Sequence, residues 1–317
     1  MAAVAHPGAL IWGDPAMTLL SGIYAALSAF TVFFAVVFAQ AVWRLPLASK
    51  RPSFEALLTG FVTNFFDTLG IGSFAPSTVI FRFRQMVPDE LIPGTLNVGH
   101  TLPVVLQAFI FFAAIQVDPV TLVLLIAAAT IGAWFGAGIV AGLPKRPVQI
   151  CVGGALLVAV AAMLMRQLEL FPAGGTALQL DGWDLAIGVL SNFLFGAIST
   201  LGIGFYAPCM TMVSLLGMNP TAAFPIMMGS GAFLMPAASA RFVRSKAYFA
   251  SVAVGLTLGG LAGVPLAAFV VKSLPLTTLR WLVIVVVFYA AVMMLRSAWP
   301  NSTWSNSTSR TLPSTKP

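Results

Sequence analysis

The sequence predicts an all-α, polytopic integral membrane protein with two internal repeats, and three observations carry that reading. Hydrophobic residues make up 59% of the chain and charged residues only 8%, against about 25% charged in soluble domains. The apolar residues gather into runs of roughly 20 or more, the length a helix needs to cross a hydrocarbon core about 30 Å thick. One nine-residue pattern occurs twice, 132 positions apart.

The net charge of +7 does not point to nucleic acid. The sixteen Lys and Arg residues lie in short clusters between apolar runs, as in the cytoplasmic loops of membrane proteins, so the partner implied is the lipid bilayer. Cys151 and Cys209 sit inside apolar runs without CxxC spacing, which indicates neither a disulfide framework nor a metal site. No Walker motif or HExxH is present, and no cofactor is expected.

Residues 1–52 comprise an N-terminal tail and an extra transmembrane helix. The apolar run from Met17 to Trp43 is too long for a signal-peptide core and is followed by Arg44, Lys50 and Arg51, which places the N-terminus outside. The first repeat, 53–168, reads as four apolar segments at 54–84, 93–115, 119–142 and 147–168. The second, 183–299, has them at 184–216, 221–243, 247–271 and 276–299. The Ser/Thr-rich stretch 300–317 has little apolar surface to bury and is expected to be a disordered cytoplasmic tail.

The duplicated pattern is Thr68-Leu69-Gly70-Ile71-Gly72-Ser73-Phe74-Ala75-Pro76 and Thr200-Leu201-Gly202-Ile203-Gly204-Phe205-Tyr206-Ala207-Pro208. The same offset carries Pro88 onto Pro220, Pro93 onto Pro225 and Gly99 onto Gly231. The first segment of each repeat is thus interrupted by Gly-x-Gly and Ala-Pro, residues that weaken a helix and release backbone groups. In lipid those groups must find partners, so broken helices at matching positions point to a binding site near the midplane. If each broken segment crosses once, ten of the sixteen basic residues face inward; if each is a re-entrant hairpin, thirteen do. The positive-inside rule therefore favours hairpins, and three full crossings per repeat would then make the repeats inverted.

The stretch Asn64-Phe65-Phe66-Asp67-Thr68-Leu69-Gly70-Ile71-Gly72, with Pro93-Gly94-Thr95-Leu96-Asn97-Val98-Gly99-His100, resembles the sulfite exporter TauE/SafE family, also called the toluene-sulfonate uptake permease family. The resemblance covers about residues 55–297. It implies a secondary transporter of the bacterial cell inner membrane, an exporter or permease that moves sulfite, an organosulfonate or a related anion without ATP. The chain departs from the family where Gly70-Ile71-Gly72 and Gly202-Ile203-Gly204 replace a longer glycine run. It departs again where Pro93-Gly94-Thr95-Leu96-Asn97 stands for the usual Ala-x-Gly-Thr-Asn.

The chemistry of an anion site can be read from the residues as well. A half-helix that starts after a glycine break offers free N–H groups and the positive end of its dipole. The candidate substrate ligands are Thr68, Gly70, Gly72 and Ser73 in the first break and Thr200, Gly202, Gly204, Phe205 and Tyr206 in the second. Asn97 and His100, at i and i+3 on one helix face, and Ser230 join them. The competing reading of the glycines is close helix packing. Asp67 is the one acid well inside an apolar segment, and with His100 it is a candidate proton carrier. Asp67 alternatively bonds backbone N–H groups at a helix end, and His100 is alternatively a satisfied neutral imidazole. The second repeat has Ser199 in place of Asp67, so any proton site is asymmetric.

Two other functions compete with transport. A passive anion channel needs the same donors without a proton group. An intramembrane serine hydrolase is suggested by Ser230 and His100, but Met228-Gly229-Ser230-Gly231 lacks the glycine two residues before the serine that such a site needs, and no catalytic residue is assigned. The sequence sets no oligomeric state.

Overall fold

The structure, a computed structural model, describes residues 15–140, 175–199 and 205–270, with isolated positions between 146 and 170 and between 281 and 296. Thr200, Gly202, Gly204, Lys145 and Cys151 lie outside the described residues, as do both termini and most of the segments 147–168 and 276–299.

The described chain is helical apart from one isolated bridge between Ala177 and Met218. In order it forms α1 (Pro15–Trp43), a short α2 (Leu47–Lys50), α3 (Phe54–Thr68), α4 (Phe74–Arg84), α5 (Ile92–Ala114), α6 (Pro119–Val140), α7 (Gly182–Ser199), α8 (Tyr206–Leu215), α9 (Ala223–Arg244) and α10 (Ala250–Val270). Among the described residues, α1, α5, α6, α7, α9 and α10 contain six stretches long and apolar enough to cross a membrane. Large apolar side chains such as Phe33, Trp134, Leu190 and Phe269 lie exposed on their outer faces. A soluble monomer does not expose so much apolar surface, and this is the architecture of a polytopic membrane protein.

Helix breaks fall where the glycines do. Residue 54 starts α3 behind Ser53, whose side chain accepts from the Ala56 N–H, an ordinary N-cap. Gly70 and Gly72 have φ of +81° and +91°, a left-handed backbone that side chains resist, and the helix stops there. With 15 and 11 residues, α3 and α4 are each too short to span a bilayer. They fold back on one another: Arg84, the last residue of α4, pairs with Glu55 in the first turn of α3. A continuous helix would hold these residues roughly 40 Å apart. The helices that flank the second break are arranged alike. Beyond α8 the chain meets the segment preceding α7, where Asn219 N–H donates to Ala177 O and Gly175 N–H to Met218 O.

These contacts fix which helix ends lie together. Ala56, Phe81, Ile92, Leu96 and Val252 form one apolar cluster, so α3 and α5 start, α4 ends and α10 starts at the same end of the molecule. There α1 and α9 also finish, with Phe38, Phe242 and Tyr248 packed around Val98 and Ala253. At the opposite end Leu180 N–H donates to Thr121 Oγ1 and Asp118 N–H to Leu178 O, which brings the starts of α6 and α7 together. The first end carries Arg44, Lys50, Arg51, Arg82, Arg84, Arg241, Arg244 and Lys246. The opposite end carries Asp118, Asp181 and Asp184 and, among the described residues, no Lys or Arg. We call them the basic and acidic ends.

Packing exchanges helices between the two halves of the chain: α3 lies along α10, α7 lies along α6, and α5 and α9 cross at the centre. Both outer pairs rest on glycine seams. Gly255, Gly259 and Gly263 of α10 face backbone atoms of Ala56, Leu57 and Phe61, while Gly132 and Gly136 of α6 face those of Phe193 and Ala197. Without a hydrophobic force between helices in lipid, such close approach is what holds them.

A Gly259→Leu change would drive its side chain into the Leu57 carbonyl and Phe61 amide, atoms that cannot rotate away. The expected loss is at or above the usual overpacking range of about 1–3 kcal/mol, seen as a lowered melting temperature of the detergent-purified protein. Gly22→Ala, where nothing lies within 4 Å of the added methyl, is expected to leave it unchanged or raised.

Candidate functional site

The first chain break encloses a group of buried polar side chains. Asp67, in the last turn of α3, is 1% exposed. Its carboxylate accepts from Gln107 Nε2 at 3.0 Å and from the Tyr206 hydroxyl at 3.4 Å. The hydroxyl and backbone N–H of Ser73, the residue that precedes α4, face the carboxylate as well. The carboxylate thus sits where an external anion would, at the positive end of α4, a placement worth up to about 2 kcal/mol in partly buried settings. Gln107 Nε2 also donates to Thr68 Oγ1 at 3.1 Å, and Thr68 in turn donates to Asn64 O.

Three helices and the first break meet at this point. Asp67 and Thr68 come from α3, Gln107 from α5, Ser73 from the first break and Tyr206 from the first residue of α8. Gly70 is covered by the ring of Phe224, 3.2 Å from where a Cβ would stand, and by Met210. Phe224 stacks on Phe111 with ring centroids 5.1 Å apart. Phe111 is near the end of α5 and Phe224 near the start of α9, so this stack lies between the break and the acidic end. Gly72 is half-exposed and nothing lies within 4 Å of where its Cβ would be, so the loop is open there.

A second polar network adjoins the first. Asn64 Nδ2 donates to Gly60 O, which leaves Asn64 Oδ1 to accept from His100 Nδ1 at 3.0 Å; His100 Nε2 then accepts from Ser77 at 3.0 Å. A neutral ring is satisfied at both nitrogens, and it ties α5 to α3 and α4. The ring also lies 5.8 Å from that of Phe74.

Most of the candidates from the sequence converge here. Thr68, Gly70, Gly72, Ser73 and Tyr206 line the break around Asp67, and Phe205 is buried beside them against Phe195. The hydroxyl and N–H of Ser73, expected to await an anion, face Asp67. Asn97 is not gathered with them: it bonds Pro93 O roughly 15 Å before Gln107 along α5. Ser230 is fully buried, its hydroxyl without a hydrogen-bond partner. The neighbouring Gly231 packs on Val104 near the Tyr206 hydroxyl. Gln107 is the residue the sequence reading missed. Its signal was a lone amide in Val104-Val105-Leu106-Gln107-Ala108-Phe109. Its Oε1 is buried with no partner, a state that costs about 1–3 kcal/mol. Among the described residues no group of three His, Cys, Asp or Glu is placed to hold a metal.

No family model, curated protein or solved structure matches the chain.

Ser77→Ala leaves His100 Nε2 buried and unbonded, and the expected cost is about 1–3 kcal/mol. A fall in the thermal melting midpoint without any change in oligomeric profile checks this. An unchanged midpoint would mean that the imidazole finds another donor.

Proposed function

We propose that the protein is a secondary transporter for a small sulfur-containing anion, such as sulfite or an organosulfonate, and that Asp67 couples the anion to a proton. The observation that carries this reading is the carboxylate itself, buried at the helix start where an anion would bind. Two like charges about 4 Å apart repel by about 4 kcal/mol at an effective dielectric of 20. An anion and an ionised Asp67 therefore exclude one another, whereas an anion and a protonated Asp67 add no net charge to the site. The choice of sulfur anions rests on the resemblance to the TauE/SafE family carried by residues 64–72 and 93–100.

We read the two halves as inverted repeats. The support is the recurring order of broken helix, 3₁₀ turn (Asp89–Leu91 and Pro220–Ala222) and two long helices, together with the opposite ends at which the two hairpins open. In this reading each hairpin is re-entrant, and the anion binds between the repeats where Tyr206 reaches Asp67. The basic end faces the cytoplasm by the positive-inside rule, so the start of α1 faces outward, in a bacterial inner membrane. The seams α3–α10 and α6–α7 would move as rigid pairs, since each contains one helix from each repeat.

A passive channel is the second reading, and its flux would be indifferent to a pH gradient at clamped potential. A monoanion that moves alone across 100 mV gains or loses about 2.3 kcal/mol, so an interior-negative potential drives it out and uptake needs a companion cation.

Three outcomes follow. In proteoliposomes, an inward proton gradient is expected to accelerate uptake of sulfite or methanesulfonate, and Asp67→Asn to abolish that acceleration while export driven by the potential survives; gradient-driven uptake that persists in Asp67→Asn removes Asp67 from the mechanism. Gly72→Leu, placed in the open part of the loop, is expected to abolish binding with expression retained, and normal binding would make the glycine a packing residue. An impermeant maleimide added outside is expected to label Gln179→Cys and spare Arg146→Cys, with the reverse pattern contradicting the orientation.

A further inference from the structure

We infer that Gln107 is an amide switch that hands its N–H donors from the Asp67 carboxylate to the transported anion when Asp67 gains a proton. The inference rests on the proton-coupled anion reading above and adds to it the residue that enforces the coupling.

In the structure the Asp67 carboxylate holds Gln107 Nε2–H and the Tyr206 hydroxyl, and the hydroxyl and N–H of Ser73 face it. These are the groups an anion at the start of α4 would need. While Asp67 is ionised the site is therefore filled by the chain's own anion. The other end of the Gln107 amide, Oε1, is buried and has no partner, and a buried acceptor without a donor is an arrangement that a second state would relieve.

A protonated carboxyl provides that second state. It becomes a donor through its O–H, and the only acceptor on Gln107 is Oε1. The terminal torsion of a glutamine is broad and close to two-fold, and its oxygen and nitrogen are nearly the same size. A half-turn of the amide brings Oε1 to the Asp67 O–H, and the Thr68 hydroxyl, 3.1 Å from the amide nitrogen, can turn to donate to it as well. The same half-turn swings both Nε2 hydrogens to the side that Oε1 had occupied. Ser73 and Tyr206, no longer attracted to a charge, are released in the same step. Proton entry thus creates the donors the anion requires, and proton loss withdraws them.

The titratable surroundings are sparse enough for Asp67 to act alone. Tyr206 of α8 is the titratable group that faces it. From α5 the nearest is His100, whose two nitrogens are bonded to Asn64 and Ser77. Residues 250–270 of α10 contain no titratable side chain. In α4 and α9 the titratable groups described are the arginines of their last turns at the basic end, Arg82 and Arg84, and Arg241 and Arg244.

The test uses methanesulfonate, a monoanion throughout the neutral range, so that any pH dependence belongs to the protein. Calorimetric affinity is compared in the purified wild type, Gln107→Met, Asp67→Asn and the double variant. In Asp67→Asn the carboxylate is gone, so a glutamine that merely positions Asp67 has nothing left to do. The switch predicts that adding Gln107→Met to Asp67→Asn still weakens methanesulfonate binding about tenfold or more, the loss of a hydrogen bond to a charged group. Equal affinities of Asp67→Asn and the double variant would overturn it. Acid-minus-neutral infrared difference spectra of the anion-free protein supply an independent arm. A protonated-carboxyl band absent from Asp67→Asn is expected together with a shift of a side-chain amide band absent from Gln107→Met; a carboxyl band with no amide shift overturns the switch. Binding of neither methanesulfonate nor sulfite by the wild type, with both bands present, would instead defeat the choice of substrate and leave the switch standing.

Discussion

A carboxylate held at a helix start inside the membrane domain is the constraint on which the rest of this structure depends. Asp67 faces the N–H and hydroxyl of Ser73 just before α4, anchors Gln107 of α5 and receives Tyr206 from the second half of the chain. Removing it would leave several buried donors without an acceptor, each at a cost of about 1–3 kcal/mol. Gly70 and Gly72, which follow it, let the chain reverse there, since their positive φ allows α4 to return beside α3. The Glu55–Arg84 pair closes the hairpin at its other end.

The two halves of the chain share an order of elements but divide the chemistry unequally. Asp67, Thr68, Ser73, His100 and Gln107 all belong to the first half, and at the same offset the second has Ser199, Thr200, Phe205, Ala232 and Ser239. Of the second half's side chains among the described residues, Tyr206 is the one that reaches the carboxylate. Its other contributions near the break, Phe224 and Met210, are apolar and lie over Gly70. Such a division suits one proton group serving one anion, with an apolar wall supplied by the opposite half.

How much of this was legible in the sequence depended on distance along the chain. The breaks were legible because Gly-x-Gly and Ala-Pro are local instructions, and α3 and α4 end and begin within two residues of them. Asp67 and Ser73 were legible as a lone acid and a hydroxyl beside a break. Their mutual approach was not, because an N–H expected to be free for a ligand gives no sign of an internal partner six residues away. Gln107 belongs to no motif, and its role comes only from the crossing of α5 over the break. The exchange of α3 onto α10 and α7 onto α6 was equally hidden. Spaced glycines at 255, 259 and 263 announce a close contact but do not say with which helix. Glu55 and Arg84, 29 residues apart, decide the hairpin; positive-inside bookkeeping favoured the same fold without identifying that pair. Thr200, Gly202 and Gly204 lie outside the described residues, so the second break is known here through its flanks, Ser199 and Phe205.

The central claim is that proton and anion occupy the site together because the ionised Asp67 carboxylate and the anion compete for one set of donors. The most direct measurement is the number of protons taken up when methanesulfonate is added to the purified protein in weakly buffered detergent above the titration range of Asp67. The account predicts close to a single proton per anion bound, falling to none in Asp67→Asn. Anion binding by the wild type with no proton uptake would contradict it.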